Sequence, residues 1–264
     1  MAYDVAGRKV LVTGASSGIG AGLAEALAKA GATVGICARR HDQLAEVLER
    51  CQRHAPASRM WVADLADPAA VERLAHAAAA ELGGVDVLVN NAGIPKRRHV
   101  SRLDAATVDA VMRINYSSPV QLTLALLPAM LERGEGRIVN VSSVAATLSS
   151  PGEAAYGASK AALAVFSESM AVDLWDTGVK VMVVYPGVVD TELFTLPDND
   201  PFTADVEAIP VEEAVAAVLA GLAEERLQVY VPSWFGGLTA GKAADLENFL
   251  AGTAQYVRER AGGS

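Results

Sequence analysis

Tyr156 and Lys160 have residue types and a spacing that suit proton chemistry. They stand one helical turn apart in "AAYGASKAAL", residues 154–163, a run of small residues that favours a helix. A tyrosine hydroxyl has an ordinary pKa of about 10, so it is a poor base at neutral pH, and a nearby cation favours the phenolate. The spacing therefore predicts that Lys160 lies on the same helix face and lowers the pKa of Tyr156.

A glycine-rich turn, "TGASSGIG", directly follows the apolar run "KVLVT" and leads into a helical pattern. Gly14, Gly18 and Gly20 have the spacing GxxxGxG, which differs from the common GxGxxG fingerprint. Glycines let the backbone approach a pyrophosphate closely, and a helix N-terminus offers unpaired amides to it. The turn predicts a phosphate-binding site, and an ordinary tight turn is the alternative.

Two arginines follow the second apolar run, "TVGICA", at the point where a dinucleotide-binding protein recognises the adenosine ribose. An acidic residue there accepts hydrogen bonds from a free 2′-hydroxyl, whereas an arginine can bind a 2′-phosphate. Ala38 is neutral, so no acid at this position repels a phosphate. Arg39 and Arg40 therefore favour a 2′-phosphate, unless they are simply an arginine pair in a solvated loop.

Polar residues also follow the third and fourth apolar runs. Asp64 comes after "RMWVA", and "NNAG", residues 90–93, comes after "VDVLV". The carboxyl ends of parallel strands meet at one edge of a sheet, and ligands bind beyond that edge. We therefore expect both segments at the ligand site, although an Asp before a helical pattern is also a common helix cap.

Five motifs, in this order and at these distances, resemble the classical short-chain dehydrogenase/reductase family: "TGASSGIG", "NNAG", "VSS", "YGASK" and "PGVVDT". The motifs cover roughly residues 7–191, and the rest of the chain resembles the family only in its pattern of strands and helices. The resemblance implies that Tyr156 donates a proton in carbonyl reduction and accepts one in alcohol oxidation. It also implies that Lys160 holds the nicotinamide ribose of the cofactor.

The resemblance implies roles for further residues. Ser143 matches the family serine that hydrogen-bonds the substrate oxygen, and its neighbour Ser142 is expected to be structural. Asn115, in "MRINYSS", matches the asparagine that holds a water linking the lysine to solvent. The predicted catalytic set is thus Asn115, Ser143, Tyr156 and Lys160.

The predicted cofactor is NADP(H), preferred over NAD(H) because of the arginine pair. In the family, the backbone near Pro186, Gly187 and Val189 and the Thr191 side chain hold the carboxamide, although a Pro-Gly pair alone indicates only a turn. The full predicted cofactor site comprises Gly14, Ser16, Ser17, Gly18, Ile19, Gly20, Arg39, Arg40, Asp64, Leu65, Asn91, Ala92, Gly93, Tyr156, Lys160, Pro186, Gly187, Val189 and Thr191.

The composition suits a parallel sheet that helices bury on both faces. Of the 264 residues, 52% are hydrophobic but only 5% are aromatic, which indicates a core of Ala, Val, Leu and Ile. Seven short β-branched runs alternate with helical patterns at 19–30, 42–53, 68–82, 104–133 and 154–176. We predict an α/β fold over 1–264 as a single domain: a doubly wound Rossmann-type sheet of about seven parallel strands with helices on both faces.

Charge and composition exclude several classes of partner. The formal net charge of −9 gives no basic surface for nucleic acid, and no apolar run is long enough to span a membrane. The first residues, "MAYDVAGRKVLVTG", contain no secretion signal, and Cys37 and Cys51 cannot form a disulfide framework, so we expect a cytoplasmic protein. No metal site is expected, because the histidines lack a metal-binding spacing: His41, His54, His76 and His99.

Two segments depart from the alternating pattern. The irregular stretch 186–210 is long enough to be a substrate lid, and four of its side chains suggest a partly apolar small-molecule substrate: Leu193, Phe194, Leu196 and Phe202. The tail, 236–264, diverges from the family ending. Trp234 and Phe235, just before it, either line a pocket or partner surface or cover the core.

We expect a homodimer that forms through the helices at 104–133 and 154–176, with small and apolar residues such as Ala161, Ala164 and Met170 at the contact. The usual tail-mediated tetramer contact lacks its sequence in this chain. The tail is therefore expected to cover a substrate cleft, either its own or that of the partner.

Three functions compete. The leading hypothesis is an NADP(H)-dependent oxidoreductase that interconverts a ketone or aldehyde and an alcohol. The alternative is a catalytically silent, cofactor-binding regulatory protein on the same fold, against which the complete catalytic set argues. A third, an epimerase or dehydratase, has little room in the short C-terminal region.

Overall fold

The computed structural model describes residues 2–201 and 206–262, the last two without their side chains. Within these residues, seven strands form one parallel sheet in the order β3-β2-β1-β4-β5-β6-β7. The strands are β1 (Lys9–Thr13), β2 (Thr33–Ala38), β3 (Arg59–Val62), β4 (Val87–Asn90), β5 (Gly136–Val141), β6 (Val179–Pro186) and β7 (Gln228–Val231). The predicted Rossmann-type sheet is confirmed.

Helices cover both faces of this sheet. One face packs against α1, α2 and α7, and the other packs against α3, α5 and α6. The helices are α1 (Gly18–Lys29), α2 (His41–Gln52), α3 (Pro68–Leu82), α4 (Ala105–Met112), α5 (Ser118–Arg133), α6 (Ala154–Asp173), α7 (Val211–Ala223), α8 (Phe235–Ala244) and α9 (Leu246–Gly262).

The central strand β1 shows why the strands are continuously apolar. Val10 and Val12 pack into the first helical layer, whereas Leu11 between them packs into the second. All three side chains are fully buried. Because successive side chains point to opposite faces and both faces are covered, the three middle positions of the strand must all be apolar.

The predicted helix at 104–133 is interrupted. α4 and α5 are joined by a π turn, Arg113–Ser117, which contains the buried Asn115. The Asn115 side chain pairs with the backbone of Ile94, accepting from its N–H at 2.9 Å and donating to its carbonyl at 3.0 Å. This contact is with a distant loop, so helical periodicity cannot reveal it. π turns are rare and occur frequently at functional sites.

The expected dimer residues are only partly on the surface. Ala164 and Met170 are buried in the chain's own core, so their assignment to a subunit contact was wrong. The exposed apolar residues of α6 lie one or two positions away, at Val165 and Val172, on the helix face that points away from the sheet. Trp175 continues the same exposed surface, 70% accessible.

No helix among residues 2–201 and 206–262 is both long and apolar enough to cross a bilayer.

Candidate active site

The glycine turn between β1 and α1 is shaped by close packing against the loop after β4. Gly14 has φ +67°, and a Cβ there would lie 2.7 Å from the Cα of Ala92. A Cβ on Gly20 would lie 2.4 Å from the Asn91 side-chain amide nitrogen. Asn91 in turn donates from that nitrogen to the carbonyl oxygens of Thr13 and Gly14, at 3.0 and 3.2 Å. Larger residues would separate the two loops.

The first turn of α1 is open toward solvent and suits an anion. Ser17 occupies the N-cap position but its side chain makes no capping hydrogen bond to the helix. Gly18 and Ile19, the first two residues of the helix, line the central cavity of the molecule. Uncapped amides at a helix N-terminus, next to a cradle that tolerates no Cβ, are the features that bind a pyrophosphate. The residues present therefore fit a dinucleotide.

The two arginines after β2 have different surroundings. Arg40 is held over the glycine turn: it donates to the hydroxyls of Ser16 and Ser17 and pairs with Glu192 of the lid at 2.7 Å. Arg39 is exposed and lines the cavity, and no hydrogen bond or ion pair with another described residue holds its guanidinium. Arg39 is thus available to a phosphate, whereas Arg40 has protein partners.

Asp64 is placed at the cavity and does not cap the next helix. Its carboxylate accepts from the N–H of Ala66 at 3.0 Å, within the turn that follows β3. The N-cap of α3 is Asp67, which accepts from the N–H of Ala69 at 2.9 Å. The helix-cap alternative for Asp64 is therefore wrong, because the helix begins three residues later than a cap at Asp64 requires.

The first asparagine of "NNAG" has a structural role. Asn90 is buried, and its amide nitrogen donates to the side chains of Thr123 and Asn140, at 3.1 and 2.8 Å. Asn140 donates in turn to the hydroxyl of Ser167 at 2.7 Å. This network joins β4 and β5 to α5 and α6, and it fixes the loop that carries Asn91 and Gly93.

Lys160 is buried, and its side chain points toward the backbone of β5 and of the loop after β4. Its Nζ donates to the carbonyl of Val141 at 2.7 Å, and a Cβ on Gly93 would lie 3.3 Å from it. Burial lowers the pKa of the Lys160 ammonium to about 8. Ser142 donates to the Lys160 carbonyl at 2.9 Å, which is the structural role expected of that serine.

Asn115 contacts the same helix through a serine. It donates to the hydroxyl of Ser159 at 3.0 Å, and Ser159 donates to the carbonyl of Tyr156 at 2.7 Å. A Cβ on Gly93 would lie 3.2 Å from the Asn115 side-chain oxygen. Asn115 does not line the cavity itself, so it lies behind Tyr156 and Lys160 rather than in front of them.

Tyr156 and Ser143 face the cavity together. The pKa of Tyr156 is raised, first by burial and then by the carboxylate of Glu153, while a hydrogen bond with Ser143 and the charge of Arg97 act in the opposite direction. The lowering predicted from the Tyr156–Lys160 spacing is therefore not the direction found. The physical reason is that burial dominates, and the lysine lies beside the ring, 5.9 Å from its centroid.

Arg97 and Glu153 are buried charged residues that the motifs did not reveal. Both line the cavity, and both are less than a tenth exposed. Burial raises the pKa of Glu153, and the charge of Arg97 lowers it. Arg97 also donates to the carbonyls of Phe194 and Asp200, at 2.8 and 3.2 Å. "KRR" in the sequence resembles an ordinary solvated run, so only the fold shows that its middle residue is buried.

A cavity of about 750 Å³ lies beyond the carboxyl ends of the strands and collects these groups. Ser143, Tyr156 and Lys160 line it, and so does every predicted cofactor residue except Gly20. Those cofactor residues are Gly14, Ser16, Ser17, Gly18, Ile19, Arg39, Arg40, Asp64, Leu65, Asn91, Ala92, Gly93, Pro186, Gly187, Val189 and Thr191. Gly20 lies outside the cavity lining and allows the close approach of Asn91.

The stretch 186–210, predicted to be a substrate lid, lines one side of the cavity and is tied to the loop after β4. Asp198 pairs with Lys96 at 2.7 Å and also with Arg98, while Asp200 pairs with Arg102. The predicted apolar lid residues Leu193, Phe194 and Leu196 line the cavity. Phe202, the fourth, lies outside the described residues.

The tail closes another side of the same chain's cavity. Phe249, Thr253, Tyr256 and Val257 of α9 line it. That the tail covers a substrate cleft stays a prediction.

The aromatic pair before the tail also belongs to the cavity. Phe235 is buried against the backbone of Gly187, where a Cβ would lie 2.2 Å from its ring. Trp234 stacks on Phe235 with centroids 3.9 Å apart, and half of its surface stays exposed. Phe235 thus makes Gly187 a required glycine.

An all-parallel doubly wound sheet with a glycine turn and a buried Ser–Tyr–Lys group at its carboxyl edge defines a dinucleotide-dependent class of enzyme. Residues 8–200 match the family described as short chain dehydrogenase, and the chain belongs to that family. This assignment covers the site from the glycine turn to the lid.

Relatives and solved structures agree with it. The chain is similar to a short chain dehydrogenase of Pseudocercospora fijiensis, with 39% identity over 71% of this chain and 61% of that protein. It is also similar to nodulation protein G of Azospirillum brasilense, 35% identical over 94% of this chain and 95% of that protein. A short chain dehydrogenase from Burkholderia cenocepacia in complex with NADP has a TM-score of 0.80, 32% identity, and coverage of 95% of this chain and 99% of that one.

Proposed function

We propose that this protein is an NADP(H)-dependent oxidoreductase that interconverts a ketone or aldehyde and an alcohol by hydride transfer. The observation that carries the proposal is the presence of Ser143, Tyr156 and Lys160 on one cavity, together with the glycine turn before α1. Membership of the short chain dehydrogenase family supports it. The chemistry of the site needs a hydride donor or acceptor, and the nicotinamide ring of the cofactor supplies it when bound.

Each of the three side chains has one task. The Ser143 hydroxyl donates a hydrogen bond to the substrate oxygen and stabilises its developing negative charge. The Tyr156 hydroxyl, whose pKa is raised by burial, gives its proton to that oxygen in reduction and takes it back in oxidation. Lys160, held by the Val141 carbonyl, binds the ribose hydroxyls and supplies positive charge beside Tyr156.

The preference for NADP(H) rests on Arg39. It is exposed, lines the cavity and has no partner among the described residues, so its guanidinium can form charge-assisted bonds to a 2′-phosphate. Ala38, whose side chain is buried at the end of β2, places no carboxylate where a free 2′-hydroxyl would need one. The Burkholderia cenocepacia relative is in complex with NADP, which supports a dinucleotide with a 2′-phosphate as a cofactor of this fold.

The proposed assembly is a homodimer. Val165 and Val172 on α6, Trp175 after it, and Leu124 and Leu131 on α5 are exposed apolar side chains on the helices predicted to form the contact. A contiguous exposed apolar patch marks a protein contact, and we propose that these side chains form such a patch between two copies. A cytoplasmic location belongs to the same proposal and is supported by two free, buried cysteines, Cys37 and Cys51.

The test is a panel of ketones, aldehydes and the corresponding alcohols, assayed with each cofactor by the absorbance of reduced nicotinamide. We expect turnover with NADPH or NADP⁺ that is abolished in Ser143→Ala. Binding of NADPH, measured by its fluorescence, should persist in that variant. Binding of NADPH without turnover of any substrate would instead support the catalytically silent regulatory protein.

A further inference from the structure

The helix α9 forms an apolar wall of the cavity that the family motifs do not assign. Phe249, Thr253, Tyr256 and Val257 recur at i, i+4, i+7 and i+8, so they share one helix face. Phe249, Thr253 and Val257 are half-buried on that face, whereas Ala251, on the opposite side of the helix, is exposed. The helix is therefore turned so that its apolar face closes the cavity.

Contacts of α8 fix the position of this wall relative to the catalytic residues. Lys242 donates to the carbonyl of Thr147 at 2.7 Å, and the hydroxyls of Thr147 and Thr239 lie 2.9 Å apart. Thr147 follows the short turn Val144–Ala146, which Ser143 caps by accepting from the N–H of Ala145. The tail is thus anchored to the loop that carries the catalytic serine.

The chain turns sharply between the two tail helices. Asp245 ends α8 and accepts a hydrogen bond from the N–H of Asn248 at 3.1 Å, as an N-cap of α9 does. This corner sends α9 back across the cavity opening instead of away from the molecule. The residue that stops one helix therefore starts the next.

Other apolar side chains line the cavity that the wall closes. Leu148 after β5, Phe194 of the lid and Leu238 of α8 line the same cavity as Phe249 and Val257. These side chains offer apolar surface and no charge. A substrate group that lies among them gains from leaving water in proportion to its apolar area.

We infer that α9 is a specificity-determining wall, and that it selects carbonyl or alcohol substrates carrying a bulky apolar group. This inference rests on the proposed function for its reaction, but it concerns binding at the wall. It assigns a substrate class to a part of the chain that the catalytic and cofactor motifs do not include.

The experiment compares a bulky with a small ketone, propiophenone with propanone, and measures Nile red binding by fluorescence in the same full-length proteins. In Phe249→Ser and Val257→Asp we expect the ratio of kcat/KM for propiophenone over propanone to fall about tenfold, equivalent to about 1.4 kcal/mol. Nile red affinity should fall with it. The matched controls are Leu250→Ser, which changes an exposed residue outside the cavity lining, and Ala251→Asp on the opposite face.

The outcomes separate the inference from the proposed function. An unchanged ratio and unchanged Nile red affinity in both variants would overturn the inference even if the enzyme reduces ketones well. If no ketone is reduced by the wild type, the proposed function fails. The Nile red measurement then tests the wall without the enzyme assay. Weaker Nile red binding in Phe249→Ser and Val257→Asp but not in the two controls supports the wall. Equal Nile red binding in all five proteins refutes it.

Discussion

Lys160 lies one helical turn after Tyr156 on α6, with its Nζ 5.9 Å from the centre of the tyrosine ring and bonded to the Val141 carbonyl. The lysine is thus held by the sheet rather than by the tyrosine hydroxyl. Burial raises the pKa of Tyr156 and lowers that of Lys160. Tyr156 is therefore protonated at neutral pH, as a proton donor must be, and burial rather than Lys160 sets the direction of its pKa.

Tyr156→Phe should reduce kcat by at least about 100-fold, because general acid catalysis commonly supplies 10²- to 10⁴-fold and the phenyl ring has no proton to transfer. Steady-state assays and NADPH fluorescence titration would measure turnover and binding separately. Tyr116→Phe is the matched control, since Tyr116 packs on Phe166 outside the cavity lining. A Tyr156→Phe enzyme with more than a tenth of the wild-type kcat would rule out this role.

Lys160→Met should stabilise the protein at pH 7 by about 1 kcal/mol or more, since each unit by which burial lowers the pKa of the ammonium corresponds to about 1.4 kcal/mol. The folded-state pKa of Lys160, about 8, lies below its unfolded value. Burying the ammonium therefore costs stability fully below pH 8, and this cost is lost as pH rises from 8 toward the unfolded value.

Urea denaturation at several pH values would check the Lys160 prediction. The advantage of Lys160→Met should shrink between pH 7 and pH 9.5, a range that spans the lowered pKa of about 8. Lys180→Met, which removes an exposed lysine from β6, should show no such trend. If Lys160→Met gains the same free energy of unfolding at pH 7 and at pH 9.5, burial of the ammonium is not the cause of that gain.

Glu153→Gln should move the acid limb of the kcat/KM profile for alcohol oxidation to lower pH. The Glu153 carboxylate raises the pKa of Tyr156, so its neutralisation makes the phenolate available at lower pH. The other groups around Tyr156 are the Ser143 hydroxyl and the cations of Arg97 and Lys160, which stay in place. Glu153→Asp keeps the charge and should keep the profile, and a shift of the limb to higher pH would refute the assignment.

The sequence predicts those features of this site that depend on residues close together in the chain. The strand ends, the glycine turn and the Tyr156–Lys160 turn follow from residue types a few positions apart, and the sheet order then brings them together. Arg97 is different, because its guanidinium is held by carbonyls of the lid, about a hundred residues away. No sequence pattern distinguishes such a charged residue from a solvated one.

The glycines also show which features of the site the sequence predicts and which depend on tertiary packing. Gly14, Gly18 and Gly20 could be recognised as a phosphate turn, but the reason for Gly20 is its contact with Asn91, on another strand's loop. Likewise the direction of the Tyr156 pKa could not be predicted from the lysine spacing, because burial outweighs it. Tertiary packing, which periodicity does not encode, accounts for these differences.

The wild-type enzyme should prefer NADPH to NADH, and Ala38→Asp with Arg39→Leu should reverse the ratio of kcat/KM values by roughly 10- to 100-fold. Charge-assisted bonds to a phosphate are worth about 1.5–3 kcal/mol each. Arg40→Leu is the comparison, since Arg40 is bonded to Ser16, Ser17 and Glu192. Arg40→Leu should weaken the binding of NADPH and NADH alike. Equal wild-type kcat/KM values with the two cofactors would contradict the Arg39 assignment.

Val172→Glu combined with Trp175→Ser should convert the proposed homodimer into a monomer at micromolar concentration. Both side chains are more than two-thirds exposed on or just after α6, so charge there would oppose an apolar contact between two copies. Val62→Glu, at an exposed position on the edge strand β3, is the matched control and should leave the mass unchanged. Light scattering would measure the mass. A wild-type tetramer that persists when residues 236–264 are deleted would refute the dimer.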